Sequence, residues 1–91
     1  MYGEIKKSEG RISVKTEHGE AELLYRKDSD ILVVYHIFTP PDDRGQGIAE
    51  KLADTVVDLA KKEGLRIIPE CSYMQAFLNK HKELKKYEMK E

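Results

Sequence analysis

Between an apolar segment and an amphipathic one, the chain reads Pro40-Pro41-Asp42-Asp43-Arg44-Gly45-Gln46-Gly47-Ile48-Ala49, a pattern suited to holding a phosphate. Gly45 and Gly47 allow a tight turn that exposes backbone N–H groups at a helix start. The first N–H groups of a helix lack internal partners and carry partial positive charge, which favours an anion. Arg44 adds a fixed positive charge whose planar fork fits phosphate oxygens. Asp42 and Asp43 oppose an anion unless they point to solvent. The stretch reads as a pyrophosphate cradle. A Walker loop would need Gly-Lys-Ser/Thr where this chain has Gly47-Ile48-Ala49. A dinucleotide fingerprint would need a small residue where Glu50 stands.

Two further residues could do chemistry. Cys71, the one cysteine, comes just before a second helical segment, and a helix start favours the thiolate form. Near a thioester such a thiol can take an acyl group or exchange a proton. Its plainer role is that of a small buried hydrophobe. His36 ends an otherwise apolar strand and can deprotonate an amine, or sit hydrogen-bonded in the core. His18 reads as a turn residue and His81 as a surface residue, neither with a role. Tyr73 serves equally as a proton donor or a core aromatic. His36, Cys71 and Glu70 lack metal-ligand spacing, so no metal is expected.

The elements that must position these groups follow from periodicity. Arg11–Thr16 alternates polar and apolar residues as a half-buried strand does, and a turn at His18-Gly19 leads to a second strand, Ala21–Arg26. After Asp28-Ser29-Asp30, the run Ile31–Phe38 is apolar on both faces, which predicts a central strand covered on each side. These three strands form an antiparallel meander. From Ile48 to about Lys62, apolar residues recur on one helical stripe, and Gly64 supplies a left-handed stop. Leu65–Ile68 is then a short strand parallel to the third, joined by a right-handed crossover. Ser72 is the expected cap of a second helix, Tyr73 to about Lys80, with Ala76, Phe77 and Leu84 facing inward. Beyond His81 the charged tail is expected to fray. Ligands of parallel units sit outside the carboxyl ends of the strands, so His36–Thr39, Pro69–Cys71 and the glycine loop share one edge.

Composition sets the outer bounds. Ninety-one residues give one domain, 1–91. Charged residues make up 36% of the chain, yet the net charge is −1, which argues against a nucleic-acid binder relying on many phosphate contacts. No apolar run reaches the twenty or so residues that span a bilayer, and the N-terminus lacks a signal-peptide core. A lone cysteine cannot form an internal disulfide. The expected location is cytoplasmic.

Arg44-Gly45-Gln46-Gly47-Ile48-Ala49 fits the Arg/Gln-x-x-Gly-x-Gly/Ala signature, and Ile67-Ile68-Pro69-Glu70-Cys71-Ser72-Tyr73 adds a strand running into Pro-x-Cys. Together they resemble the small single-domain proteins of the GNAT superfamily of acyl-CoA N-acyltransferases, from about Ile12 to the end. The resemblance implies a minimal α/β fold: three antiparallel strands, a helix, a parallel strand and a C-terminal helix. It implies acetyl-CoA as acyl donor, with the pyrophosphate held by Arg44, Gly45, Gln46, Gly47, Ile48 and Ala49. The pantetheine arm would run along Ile37, Phe38 and Thr39, and Lys80 is placed to reach a coenzyme phosphate. Cys71 and His36 are the candidate catalytic residues. Full-length members carry further strands after the second helix, which wall the acceptor site. Their lack here suits a protein amine or a flexible polyamine as acceptor. The alternative reading is a coenzyme A-binding or protein-interaction module without transferase activity.

Overall fold

The structure, a computed structural model, describes residues 3–89; Met1, Tyr2, Lys90 and Glu91 of the expected 1–91 domain lie outside the described residues. Five strands form one sheet in the order of the chain: β1 (Ile5–Ser8), β2 (Arg11–Thr16), β3 (Gly19–Asp28), β4 (Ile31–Phe38) and β5 (Arg66–Pro69). The first four are antiparallel and β5 runs parallel to β4. A 16-residue helix, α1 (Ile48–Glu63), makes the crossover, and α2 (Ser72–Lys80) follows β5. No helix of the described residues is long and apolar enough to cross a membrane.

The α/β class and the meander agree with the sequence reading, and β1 is an addition to it. In β1 only Ile5 is apolar, and Lys6, Lys7 and Ser8 are exposed, so no alternation betrays the strand. Its register, from Ile5 opposite Val14 to Ser8 opposite Arg11, is imposed by the neighbouring β2.

Both helices pack on one face of the sheet. Ile12, Val14, Ala21, Leu23, Leu32, Val34 and Ile67 from the strands join Leu52, Val56, Ala60, Met74 and Leu78 from the helices in one buried cluster. In α1 the inward positions are Ile48, Leu52, Ala53, Val56, Val57 and Ala60, the 3.6-residue stripe the sequence shows. Val56 is fully buried at its centre. Val56→Ala removes two methyl-sized groups at about 0.8 kcal/mol each. The expected outcome is a melting temperature lower by about 10 °C, measured by thermal denaturation.

Three details of the second half are corrected. The cap of α2 is Cys71 rather than Ser72: Cys71 is extended (φ −92°, ψ 147°), and its Sγ accepts from the Met74 N–H at 3.4 Å. Ala76 is exposed, and the inward side chains of α2 are Met74, Phe77 and Leu78, an i, i+3, i+4 stripe that leaves position 76 on the outer face. The tail does not fray. Lys82–Tyr87 forms a 3₁₀ helix with Leu84 and Tyr87 packed against the core. The Met89 N–H then donates to Ile67 O at 2.7 Å, and Arg66 donates to Glu88 O at 3.1 Å. A charged stretch stays ordered here because β5 is an edge strand whose backbone needs partners.

Candidate functional site

The site begins with a failure of pairing. β4 and β5 run together from Ile31 opposite Arg66 to Val34 opposite Pro69, and no further. Three local causes part the strands. Pro69 has no N–H to give. The N–H groups of Glu70 and Cys71 both converge on Val34 O, at 2.9 and 3.3 Å, which ends the ladder. On the other side of β4, Leu24 faces His36 while Tyr25 faces Val34, so Tyr35 is an extra residue. Such a bulge bends its strand and increases its twist. Tyr35, His36 and Phe38 are consequently exposed, and the sequence expectation that β4 is covered along both faces holds only through Val34.

A cavity of about 620 Å³ lies at the head of α1 on the carboxyl side of these strands. Ile37 of β4 and Thr39 just after it form one wall, Arg44, Gly45 and Gly47 another, and the first turn Ile48, Ala49 and Glu50 the floor. Asp43, Ser72 and Tyr73 complete the lining. Gly45 and Gly47 have φ of +87° and +79°, the left-handed region, and neither has a heavy atom within 4 Å of where a Cβ would stand. They are required for conformation and leave space for a ligand to reach the backbone. Gly47 is the N-cap of α1 and offers no side-chain acceptor, so the first N–H groups of a 16-residue helix stay free for an anion.

Arg44 is tethered through its Nε, which donates to Thr39 O at 3.2 Å, leaving its Nη groups available to a ligand. Thr39 is buried, and its Oγ1 has no hydrogen-bond partner among the described residues. A buried hydroxyl in a cavity wall calls for a partner that the protein does not supply. Unpaired helix amides, a free guanidinium and an orphaned hydroxyl together fit a phosphate-bearing ligand with hydrogen-bonding groups behind it.

The structure thus gathers seven of the expected binding residues around one cavity: Ile37, Thr39, Arg44, Gly45, Gly47, Ile48 and Ala49. Gln46 is exposed in the same loop and Phe38 is exposed on β4, both outside the lining. Lys80 is at the far end of α2, also outside it. Cys71 and His36 stand where β4 and β5 part rather than in the cavity wall. The Cys71 backbone is bonded to Val34 O, one residue before the bulge, and His36 follows the bulge. The His36 ring is 45% exposed, and its Nε2 lies 3.6 Å from Glu22 Oε2.

Two residues gain a place that the sequence reading did not give them. Tyr73 lines the cavity, and burial, then the charges of Glu50 and Asp54, hold its phenol above the usual range. It therefore stays protonated and able to donate. Asp43 is fully buried and does not point to solvent; its carboxylate accepts from the His18 backbone N–H at 3.1 Å and lies 2.8 Å from His18 Nδ1. No one-dimensional pattern links His18 to Asp43, which are 25 positions apart.

The described fold is also found by comparison. The family profile of GCN5-related N-acetyl-transferases matches residues 11–87, most of the length. The chain belongs to this family. An NMR structure of a GCN5-like candidate N-acetyltransferase from Staphylococcus aureus is 28% identical, with a TM-score of 0.79 over 97% of this chain and 89% of that one. A candidate acetyl transferase from Pyrococcus furiosus shares the fold at 20% identity and a TM-score of 0.53, over 89% of this chain and 58% of that one.

Proposed function

We propose that this protein is an acetyl-CoA-dependent N-acetyltransferase acting on an exposed amine, and that the whole chain, 1–91, is its catalytic domain. The observation that supports this best is the cavity at the uncapped head of α1, bounded by Ile37 at the end of β4 and by Ser72 and Tyr73 at the start of α2. Arg44 and the backbone of Gly45–Ala49 hold the pyrophosphate, Thr39 Oγ1 meets the pantetheine arm, and Lys80 reaches outward for a coenzyme phosphate. When bound, the donor supplies an acetyl group as a thioester, already activated toward nucleophiles.

The residues of the chain do the rest. Backbone donors of β4 near Phe38, released from pairing with β5, are placed to polarise the thioester carbonyl. Cys71, at the start of α2, is the acyl acceptor: its Sγ bonds to the acetyl carbon, the carbon–sulfur bond to coenzyme A breaks, and the thiol proton passes to solvent. Tyr73 returns a proton to the departing thiolate. His36, exposed beyond the bulge, removes the proton of the incoming amine, which attacks the acetyl carbonyl on Cys71, forms the amide and displaces the Cys71 thiolate. With the second half of β4 open to solvent, the acceptor side suits a protein amine or a polyamine.

The test is a transfer assay with acetyl-CoA and an amine panel of lysine peptides, N-terminal peptides and spermidine. Acetylated product above the uncatalysed rate supports the reading; binding of acetyl-CoA with no transfer to any amine would leave a coenzyme A-binding module. Tyr73→Phe should lower kcat about a hundredfold at the usual scale of general-acid catalysis, with the Kd for acetyl-CoA unchanged. An unaltered kcat would return Tyr73 to a packing role.

A further inference from the structure

Asp43 presents a physical difficulty. It is a fully buried residue in the wall of a cavity built for an anion, and it immediately precedes Arg44. A buried, unpaired carboxylate there would repel phosphate and be costly in its own right. The β2–β3 hairpin reaches over to resolve it. His18, at the hairpin tip, gives Asp43 both its backbone N–H (3.1 Å to Oδ2) and its ring Nδ1 (2.8 Å to Oδ1). Next to it, the Gly19 backbone packs so close to Pro40 that an added Cβ would stand 3.4 Å from the proline ring. Asp43 belongs in turn to the 3₁₀ turn Pro41–Asp43, whose Pro41 O accepts from the Arg44 N–H. Resting on the reading of the site given above, we propose that His18 is a positioning residue for the anion cradle. It clamps the turn that carries the Arg44–Gly47 loop, and its imidazolium offsets the Asp43 carboxylate when phosphate binds.

The electrostatics agree in sign. The hydrogen bond to Asp43 is the largest cause raising His18 above its ordinary 6.5, and Glu17 and Asp42 add to it. The same bond is the largest cause lowering Asp43 below 3.8. A raised histidine contributes stability fully below 6.5 and loses it as pH rises through the folded value; a lowered aspartate contributes above 3.8 and loses it as pH falls through the folded value. The charged clamp is therefore at full strength between 3.8 and 6.5. The His18 side chain is 46% exposed, so its proton exchanges freely with solvent.

The experiment compares wild type, His18→Gln and His18→Ala. With coenzyme A as probe, His18→Ala should weaken binding about tenfold at every pH. His18→Gln keeps an N–H donor but no charge. It should match wild type near pH 8.5 and fall behind by about tenfold near pH 5.5. Taking differences between variants cancels the titration of the coenzyme's own phosphates. By reciprocity, saturating coenzyme A should move the His18 ring titration, followed by NMR, to higher pH. Equal affinities of all three proteins across the pH range would overturn the proposal. A second readout needs no ligand: amide exchange of Asp43–Gly47 should quicken in His18→Ala while that of β2 and β3 stays protected. If coenzyme A fails to bind wild type, the acetyltransferase reading falls, and unchanged exchange in that loop would sink the clamp as well.

Discussion

Gly47→Asp should lower coenzyme A affinity about a hundredfold while the domain still folds. Position 47 is the N-cap of α1 with φ +79°, and nothing lies within 4 Å of the site of a Cβ. An aspartate therefore meets no clash. It does take on a left-handed conformation, at roughly 1 kcal/mol, which Asp and Asn tolerate better than other residues. Its carboxylate, however, sits at the helix end that the phosphate would use. Loss of one charge-assisted hydrogen bond together with repulsion amounts to about 2.7 kcal/mol, or a hundredfold. Gly47→Asn is the matched control, with the same backbone demand and no charge. Calorimetric titration should find Asn within about tenfold of wild type and Asp far weaker, with both melting about 5 °C lower. Equal losses would mean that loop shape, not charge, governs binding; no loss in either would place the phosphate elsewhere.

The second large effect concerns Cys71, in which a helix cap and the proposed acyl acceptor coincide. Its Sγ accepts from the Met74 N–H and so caps α2, and the residue stands where β4 and β5 part. The substitutions separate the roles. Cys71→Ala removes the cap at about 1 kcal/mol, so the protein should melt about 5 °C lower. Cys71→Ser keeps an oxygen acceptor and should melt near wild type. As an acyl acceptor the thiol is irreplaceable by either, and transfer should drop a hundredfold or more in both. Intact mass after incubation with acetyl-CoA should show one acetyl adduct on wild type and none on Cys71→Ser. Full transfer by Cys71→Ser would reduce the residue to a cap and leave His36 to work by direct attack of the amine.

The parts legible in the sequence share a physical character: they are set by the local chain. The α1 stripe from Ile48 to Ala60 is written in 3.6-residue spacing, the β2 and β3 strands in alternation, and the stop at Gly64 in one residue able to hold φ +69°. The turn Arg44–Ala49 is legible as a glycine loop opening a helix because its paired glycines and the free helix amides belong to the segment itself. Seven of its expected contacts, on the loop and on β4, line one cavity.

Other features depend on partners distant in sequence. β1, with its lysines, is a strand because β2 offers it hydrogen bonds, and the tail beyond His81 is ordered because Ile67 on β5 does the same for Met89. The bulge at Tyr35 appears only when β3 and β4 are laid side by side, since it is a count of residues between two strands. Ser72 and Cys71 compete for one capping position, and the end of β5 at Pro69, opposite Val34, decides for Cys71. His18 looked like an ordinary turn residue until the hairpin folded onto Asp43. The sequence by itself determined the periodic elements and the glycine turn at the head of α1, because backbone propensity and periodicity act over a few residues. Only the tertiary structure decided the wedge between β4 and β5, the capping of α2 by Cys71 and the pairing of His18 with Asp43. Each depends on two segments meeting in space, and no local preference encodes such a meeting.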